Sequence, residues 1–578
     1  MTIQGYVDWK GKPIINKKQH GRARAAFFVH TQMMVSNFIY ITNMLNLPTY
    51  LHGIMHEDVA SSATTVTNLL GATCAFSLFG AFISDSYISR FKTILIFGPL
   101  GFLGFGLLAV QAHLPSLHPP PCNIKDDLAN CEKAHGWNLA LLYIGLYTVA
   151  VGDGCTRSCS PALGGDQFDS DDPVEVLQKS SFFNWITFAI SFGGFTGLLL
   201  LVWIENNEGW DIGFGVCALA TLVGVLAIAC GSPFFRNQMP TGSPLTRMLQ
   251  VFVAAFRKRN LLLPESSEHL HQFSNKDTTE MDLLPHTMGF KFLDKAAIAD
   301  GGEIGPWSLC TATQVEETKV VLKMIPIFFS SVFGSIPNAL LLTLTVQQGN
   351  TMNTKLGAIH ISPATLFIVP IAFQMVMLVI YDRFIMPCLR RITGYVGGIT
   401  HLQRIGFGFV FTALATCAAA LVEKRRMRIV EENGLIQDSA SAVPMSVLWL
   451  LPQFFFLGVV DVTSFVGLLE FFNSEAPSGM KSIGTAIFWC TLGLASFFGT
   501  ITIELANKAS RDGADGRGWI EGNNLNKGHL DRFYWLLCVM QLLALCNFVY
   551  CAKRYVYRQN LHIREEKATS QAEEMTVI

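Results

Sequence analysis

Residues 93–113, TILIFGPLGFLGFGLLAVQAH, hold no Asp, Glu, Lys or Arg. A hydrocarbon core about 30 Å thick is crossed by about 20 such residues in a helix, so the stretch predicts a membrane span. Eleven more runs of the same kind are read near 25–47, 60–83, 137–157, 181–203, 210–231, 320–346, 361–381, 401–422, 442–468, 481–505 and 531–552. The alternating segments of a membrane β-barrel are missing, which leaves helices as the way to pair the backbone in lipid. Composition points the same way. Half of the 578 residues are hydrophobic and only 15% are charged, against about 25% in soluble chains, and the mean hydropathy is +0.37.

Lys and Arg in the short loops orient the spans. Lys10, Lys12, Lys17, Lys18, Arg22 and Arg24 precede the first helix, while residues 48–59 carry none, which predicts a cytoplasmic N-terminus. Arg90, Lys92, Arg383, Arg390, Arg391 and the tail residues Lys553, Arg554 and Arg558 fall on the same side, so both termini are expected in the cytoplasm. EKRRMR at 423–428 dissents; acidic neighbours Glu423, Glu431 and Glu432 are expected to pair with it on a helix running past the bilayer. The polar, proline-bearing stretch 232–318 separates six spans from six. The predicted order is a cytoplasmic segment 1–24, a six-helix bundle 25–231, a cytoplasmic linker 232–318, a second bundle 319–553 and a tail 554–578. Two such bundles around a midplane site are the major facilitator layout, an all-α membrane fold.

A formal net charge of −1 gives no basic field for nucleic acid. Most of the 14 cysteines lie in apolar runs and read as small buried hydrophobes. Cys122 and Cys131 bracket a polar outer loop and are candidates for a disulfide. The N-terminal stretch lacks the apolar core of a cleavable signal peptide. No phosphate loop, metal-ligand cluster or hydrolase elbow is present, so no cofactor is expected and enzyme chemistry is disfavoured.

Ionisable residues inside a bilayer are costly and mark function by default. Arg157 ends the fourth span; Asp461, in FFFLGVVDVTSFVG, lies deep in the tenth. Facing one another across the two bundles, they would form a charge pair that acts as a gate. Gly80, Asp85 and Arg90 recur at five-residue intervals in GAFISDSYISRFKT, where charged groups would hold neighbouring helix ends and bias the conformational balance. Tyr40, Trp185, Phe465 and Trp489 are candidates to line a pocket. The small residues of SFGGFTG (191–197) and GLASFFG (493–499) are assigned to helix packing. Thr93, after SRFK, is a weak phosphorylation candidate.

The chain resembles the proton-dependent oligopeptide transporter group, and within it the plant nitrate and peptide transporter family. The resemblance runs along nearly the whole chain. It rests on VDWKGKP (7–13), HGRARAAFF (20–28), GAFISDSYISRFKT (80–93), GDGCTRSCSPALGGDQFD (152–169), SFFNW (181–185), TVQQGNTMN (345–353) and LLEFFNSEAPSGMKSIGTAIFW (468–489). It implies a major facilitator fold, a multi-pass location in the plasma membrane or the vacuolar membrane, and a small-molecule solute. Asn184 and Trp185 fall in the SFFNW motif and join the expected solute site.

Departures from the family pattern sharpen the expectation. The first-helix signature with two acids, which in the family couples protons, reads here Met33-Met34-Val35-Ser36-Asn37. Arg157 holds the place of a fourth-helix lysine and Asp461 that of a tenth-helix acid. Arginine stays protonated, so it cannot itself exchange a coupling proton. Coupling is therefore expected through Asp461 or not at all. Asn338 stands where one branch has a nitrate-binding histidine. VDWKGKP, Asn37 and GVVDV resemble the subfamily that includes carriers of abscisic acid and gibberellins. The expected solute is thus an apolar carboxylate held by Arg157, Asn37 and the aromatic residues, with a nitrate or specialised-metabolite carrier, or a solute sensor without flux, as alternatives.

Overall fold

A computed structural model describes residues 6–14, 19–56, 59–120, 136–169, 172–240, 243–261, 286–287, 289–299, 305–353, 355–356, 359–360, 367–393, 398–436, 442–477, 480–511, 518–520 and 525–557. Twelve long helices dominate them. The first six are α1 (Arg22–Gly53), α2 (Val59–Ser86), α3 (Arg90–His113), α4 (Trp137–Gly165), α5 (Pro173–Asn207) and α6 (Trp210–Gly231). The second six are α7 (Ala312–Asn350), α8 (Ile368–Thr393), α9 (His401–Glu432), α10 (Val447–Glu475), α11 (Lys481–Ser510) and α12 (Leu530–Arg554). Eleven are long and apolar enough to cross a membrane; α1 is more polar, but its 32 residues exceed the length a bilayer needs. Cys122 and Cys131 lie outside the described residues.

Each set of six packs on itself, α3 on α4 and α1 on α5 in the first half, α9 on α12 and α7 on α11 in the second. Small residues permit the closest crossings. A β-carbon on Gly193 or Gly197 would overlap the carbonyl of Met34 or Phe38, so α5 lies backbone to backbone against α1. The halves meet chiefly where α2 packs on α11 and α5 on α8.

α9 runs unbroken through EKRRMR to Glu432, as the dissenting loop required. Arg426 is fully buried and doubly bonded to Glu423, 2.7 Å and 2.8 Å, with Asn526 2.6 Å away. The pair neutralises Arg426 within the cluster.

The described parts of the polar linker are folded. Ser243 caps a helix, Pro244–Arg257, whose Val251, Ala254 and Ala255 pack with Leu293, Ala296, Ala297 and Val315. Ahead of α1, Asp8 Oδ1 accepts from the backbone N–H of Lys10 (2.9 Å) and of Lys12 (2.7 Å), and Gly11 supplies the left-handed turn (φ 81°) of a small hairpin. Its Tyr6–Val7 strand pairs antiparallel with Asn237–Gln238, just past α6. The hairpin therefore sits on the end of the molecule where α1 begins and α6 ends, called here the terminal face.

Candidate functional site

Arg157 lies eight residues before the end of α4, about 12 Å inside the helix. Only 2% of it is accessible. Its Nε donates to Asp153 Oδ2 (2.9 Å) and its Nη2 to Asp153 Oδ1 (3.1 Å), one helical turn back on the same helix. From α1, Asn37 Oδ1 accepts from Nη1 and Ser36 Oγ from Nη2, both at 3.2 Å. Ser36 in turn donates to Asp153 Oδ1 at 2.8 Å. Tyr40 covers the guanidinium at 4.0 Å, and Trp489, from α11 of the other half, stacks at 4.8 Å. The result is a buried cation packed on two aromatic rings, with its edge on one carboxylate, a serine and an asparagine.

The Arg157–Asp461 charge pair is not formed: Asp461 makes no ion pair among the described residues, and Arg157 is taken by Asp153. Asp461 opens a π-helical turn, Asp461–Phe465, in the middle of α10, and it is partly exposed. Such turns re-aim side chains and concentrate at functional sites. Phe465 packs edge-on against Phe488 and Trp489, which steadies the tryptophan over Arg157. Trp489 Nε1 and Asn338 Oδ1 are buried without a hydrogen-bond partner among the described residues.

A second cluster ties the halves together at the terminal face. Arg90 pairs with Asp85 at 2.9 Å and with Asp166, and reaches across to Ser482 Oγ (2.7 Å). Lys481 donates to Asp166 Oδ1 (3.0 Å), and the backbone N–H of Ile483 to Asp85 Oδ2 (3.1 Å). Burial raises the Asp166 carboxyl, but Arg90 and Lys481 outweigh it and hold the group below its ordinary value. Beside this, Ser181 and Asn184 donate to Asp382 at 3.0 Å, and Arg404 donates from Nη2 to Asn184 Oδ1 at 2.8 Å and from Nη1 to Glu470 Oε2 at 3.4 Å. Gly80 lets α2 cross the backbone of α4 at Cys155. The terminal face is closed in this conformation.

Several expectations change. Asn184, expected at the solute, is a clasp between the halves. Trp185 packs on Phe188 and faces Arg383 at 6.0 Å, away from Arg157. Thr93 is fully buried with its hydroxyl on Ser89 O, so basic neighbours in sequence do not make it reachable for a kinase. Sequence reading passed over Asp153, Asp166, Asp382, Arg404, Glu470 and Lys481. Only Asp153 had a readable signal, its four-residue offset from Arg157 on a helix.

Where the linker meets α7, His286, Asp294 and Glu316 converge. Lys319 Nζ already fills their centre, 2.6 Å from Asp294 and 2.8 Å from Glu316, so the cluster holds a cation of the chain itself.

Comparison places these features among known proteins. Residues 91–520 match PTR2, the POT family. The chain is 37% identical to Protein NRT1/ PTR FAMILY 4.6 of Arabidopsis thaliana, over 96% of this chain and 97% of that protein. It is 38% identical to Protein NRT1/ PTR FAMILY 4.3 of the same plant, over 95% and 92%. In shape it is similar to an auto-inhibited POT family peptide transporter, with a TM-score of 0.59 at 15% identity over 92% of this chain and 97% of that one. It is also similar to a POT family transporter in complex with 5-aminolevulinic acid, with a TM-score of 0.57 at 13% identity over 93% and 98%.

Proposed function

The chain belongs to the POT family of membrane transporters, and we propose that it carries a small apolar organic anion, a carboxylate of the abscisic acid or gibberellin kind, by alternating access. One observation supports the solute class above the rest. Arg157 is a permanent, buried cation inside α4, gripped by aromatic rings from both halves, with no acidic residue on α1 against it. A carboxylate matches its fork, and Tyr40, Phe465 and Trp489 would cover the apolar body. Trp489 Nε1 and Asn338 Oδ1 offer a donor and an acceptor that bond nothing described within the chain. A peptide's amino terminus would instead meet Met33 and Ser36, neutral residues in the two places where the family signature carries acids.

In this reading the terminal face is cytoplasmic, the membrane is the plasma membrane rather than the vacuolar one, and the closed clasp there is one end state of the cycle. The test is uptake of labelled abscisic acid, gibberellin and nitrate in oocytes, with and without a pH gradient. Flux of the apolar carboxylates that is lost in Arg157→Ala at equal surface level supports the reading. Nitrate flux alone points to an inorganic-anion carrier, binding without flux to a sensor, and an Arg157→Ala variant as active as wild type overturns the assigned clamp.

A further inference from the structure

We infer that Asp153 is an internal stand-in for the solute's carboxylate and the proton acceptor of the cycle: an arriving anion displaces it from Arg157, and the freed side chain takes up a proton. The inference rests on the reading of Arg157 as the anion site and adds how that site is emptied and filled.

The guanidinium has little vacant edge. Two of its bonds go to Asp153, one to Ser36 and one to Asn37, while Tyr40 and Trp489 pack on it. Of these ligands only Asp153 carries charge. Its two oxygens occupy the fork in the arrangement that a bound carboxylate would take. An anion can enter only where a ligand leaves, and the ligand it resembles is Asp153.

Asp153 also has somewhere to go. It retains 19% side-chain exposure against 2% for Arg157. Together with Ser36 and Tyr40 it lines a chamber inside the first half, whose other walls include Thr73, Gly98 and Val225. The titratable groups in its field are Arg157 and Cys155 on its own helix, Tyr40 on α1 and Cys74 on α2. α3 and α6 present Gly98, Gly101, Thr221 and Val225 to the same chamber, none of them charged. Once an anion neutralises Arg157, no second cation among the described residues faces Asp153. A carboxylate left unpaired in such surroundings is strongly disfavoured, and taking up a proton relieves it. Charge balances: the Arg157–Asp153 ion pair becomes an Arg157–solute ion pair beside a neutral Asp153 acid. The site thereby takes one proton with each monovalent anion, although α1 supplies no acid.

Asp153 is thus a positioning residue whose loss moves affinity and pH dependence in opposite directions. Uptake of labelled abscisic acid is measured from pH 5.5 to 7.5 at matched surface level for wild type, Asp153→Asn, Asp153→Glu and Arg157→Ala. Asp153→Asn is expected to lower KM at pH 7.5 roughly tenfold by removing the charged competitor and to abolish the response to a proton gradient. Asp153→Glu restores that response. A wild-type KM and pH profile in Asp153→Asn overturns the inference while leaving the anion site standing, provided Arg157→Ala is inactive. No abscisic acid uptake by wild type, or undiminished uptake in Arg157→Ala, overturns the anion site and this inference with it. Should Asp153→Asn not reach the surface, purified wild-type protein in weak buffer decides. Adding the abscisate anion must draw about one proton per site from solution, and no uptake refutes the exchange.

Discussion

The guanidinium of Arg157 and the ring of Trp489, on opposite halves of the molecule, stack at 4.8 Å. Any rocking of the halves about a midplane site must stretch or slide this contact.

Trp489→Ala is therefore expected to weaken solute capture as well as the contact itself. A desolvated cation–π pair contributes about 0.5–2 kcal/mol, so KM should rise roughly two- to thirtyfold, with Trp489→Phe intermediate. Concentration-dependent uptake at matched surface level checks the order.

Lys481→Ala should loosen the clasp at the terminal face, because it leaves Asp166 with one cation in place of two. Breaking a buried pair costs up to about 3–5 kcal/mol. A cysteine introduced at Ser482 should react faster with a water-soluble thiol reagent in the Lys481→Ala background than in wild type, and equal rates would count against the clasp.

The same clasp should withstand mild acid. Burial lifts the Asp166 carboxyl, but Arg90 and Lys481 bring it below its ordinary value. A depressed carboxyl adds stability that is fully present above its unfolded value, near pH 4, and is lost only as pH falls through the lower folded value. Reagent access at that face should be flat between pH 7.5 and 5; opening over that window would contradict the assignment.

Gly193→Val should prevent α5 from seating on α1, since even one β-carbon meets the Met34 carbonyl. Overpacking of this kind costs about 1–3 kcal/mol, and a lower melting temperature in detergent with reduced surface yield is the expected reading.

Arg426→Ala should be far more harmful than Arg425→Ala. The first strands Glu423 in a fully buried network, at about 3–5 kcal/mol. The second removes only stacking over Trp449, under about 1 kcal/mol. Melting temperatures of the two variants give the comparison directly.

The spans were legible because lipid enforces a length and a polarity that single residues cannot hide, as in 93–113. Arg157 and Asp461 stood out for the same reason, charge where charge is costly. What the sequence hid depends on who meets whom. Asp153 reads as one more acid in a glycine-rich stretch until α1 brings Ser36 and Asn37 beside it. Asp461 reads as Arg157's partner until Asp153 is seen to hold the guanidinium from one turn back on α4. Asn184 entered the expected site through the SFFNW motif; its partners Asp382 and Arg404, some 200 positions away, cannot be read from the sequence.

The short hairpin ahead of α1 reaches further than its size suggests. Tyr6 pairs with Gln238, Gln238 accepts a hydrogen bond from Arg90 at 3.0 Å, and the Tyr6 hydroxyl lies in the field of Lys481 and Asp166. Trimming, an alternative start codon or a fluorescent fusion at this end would therefore tug on the lock itself, so reporters for trafficking or flux belong on the opposite terminus.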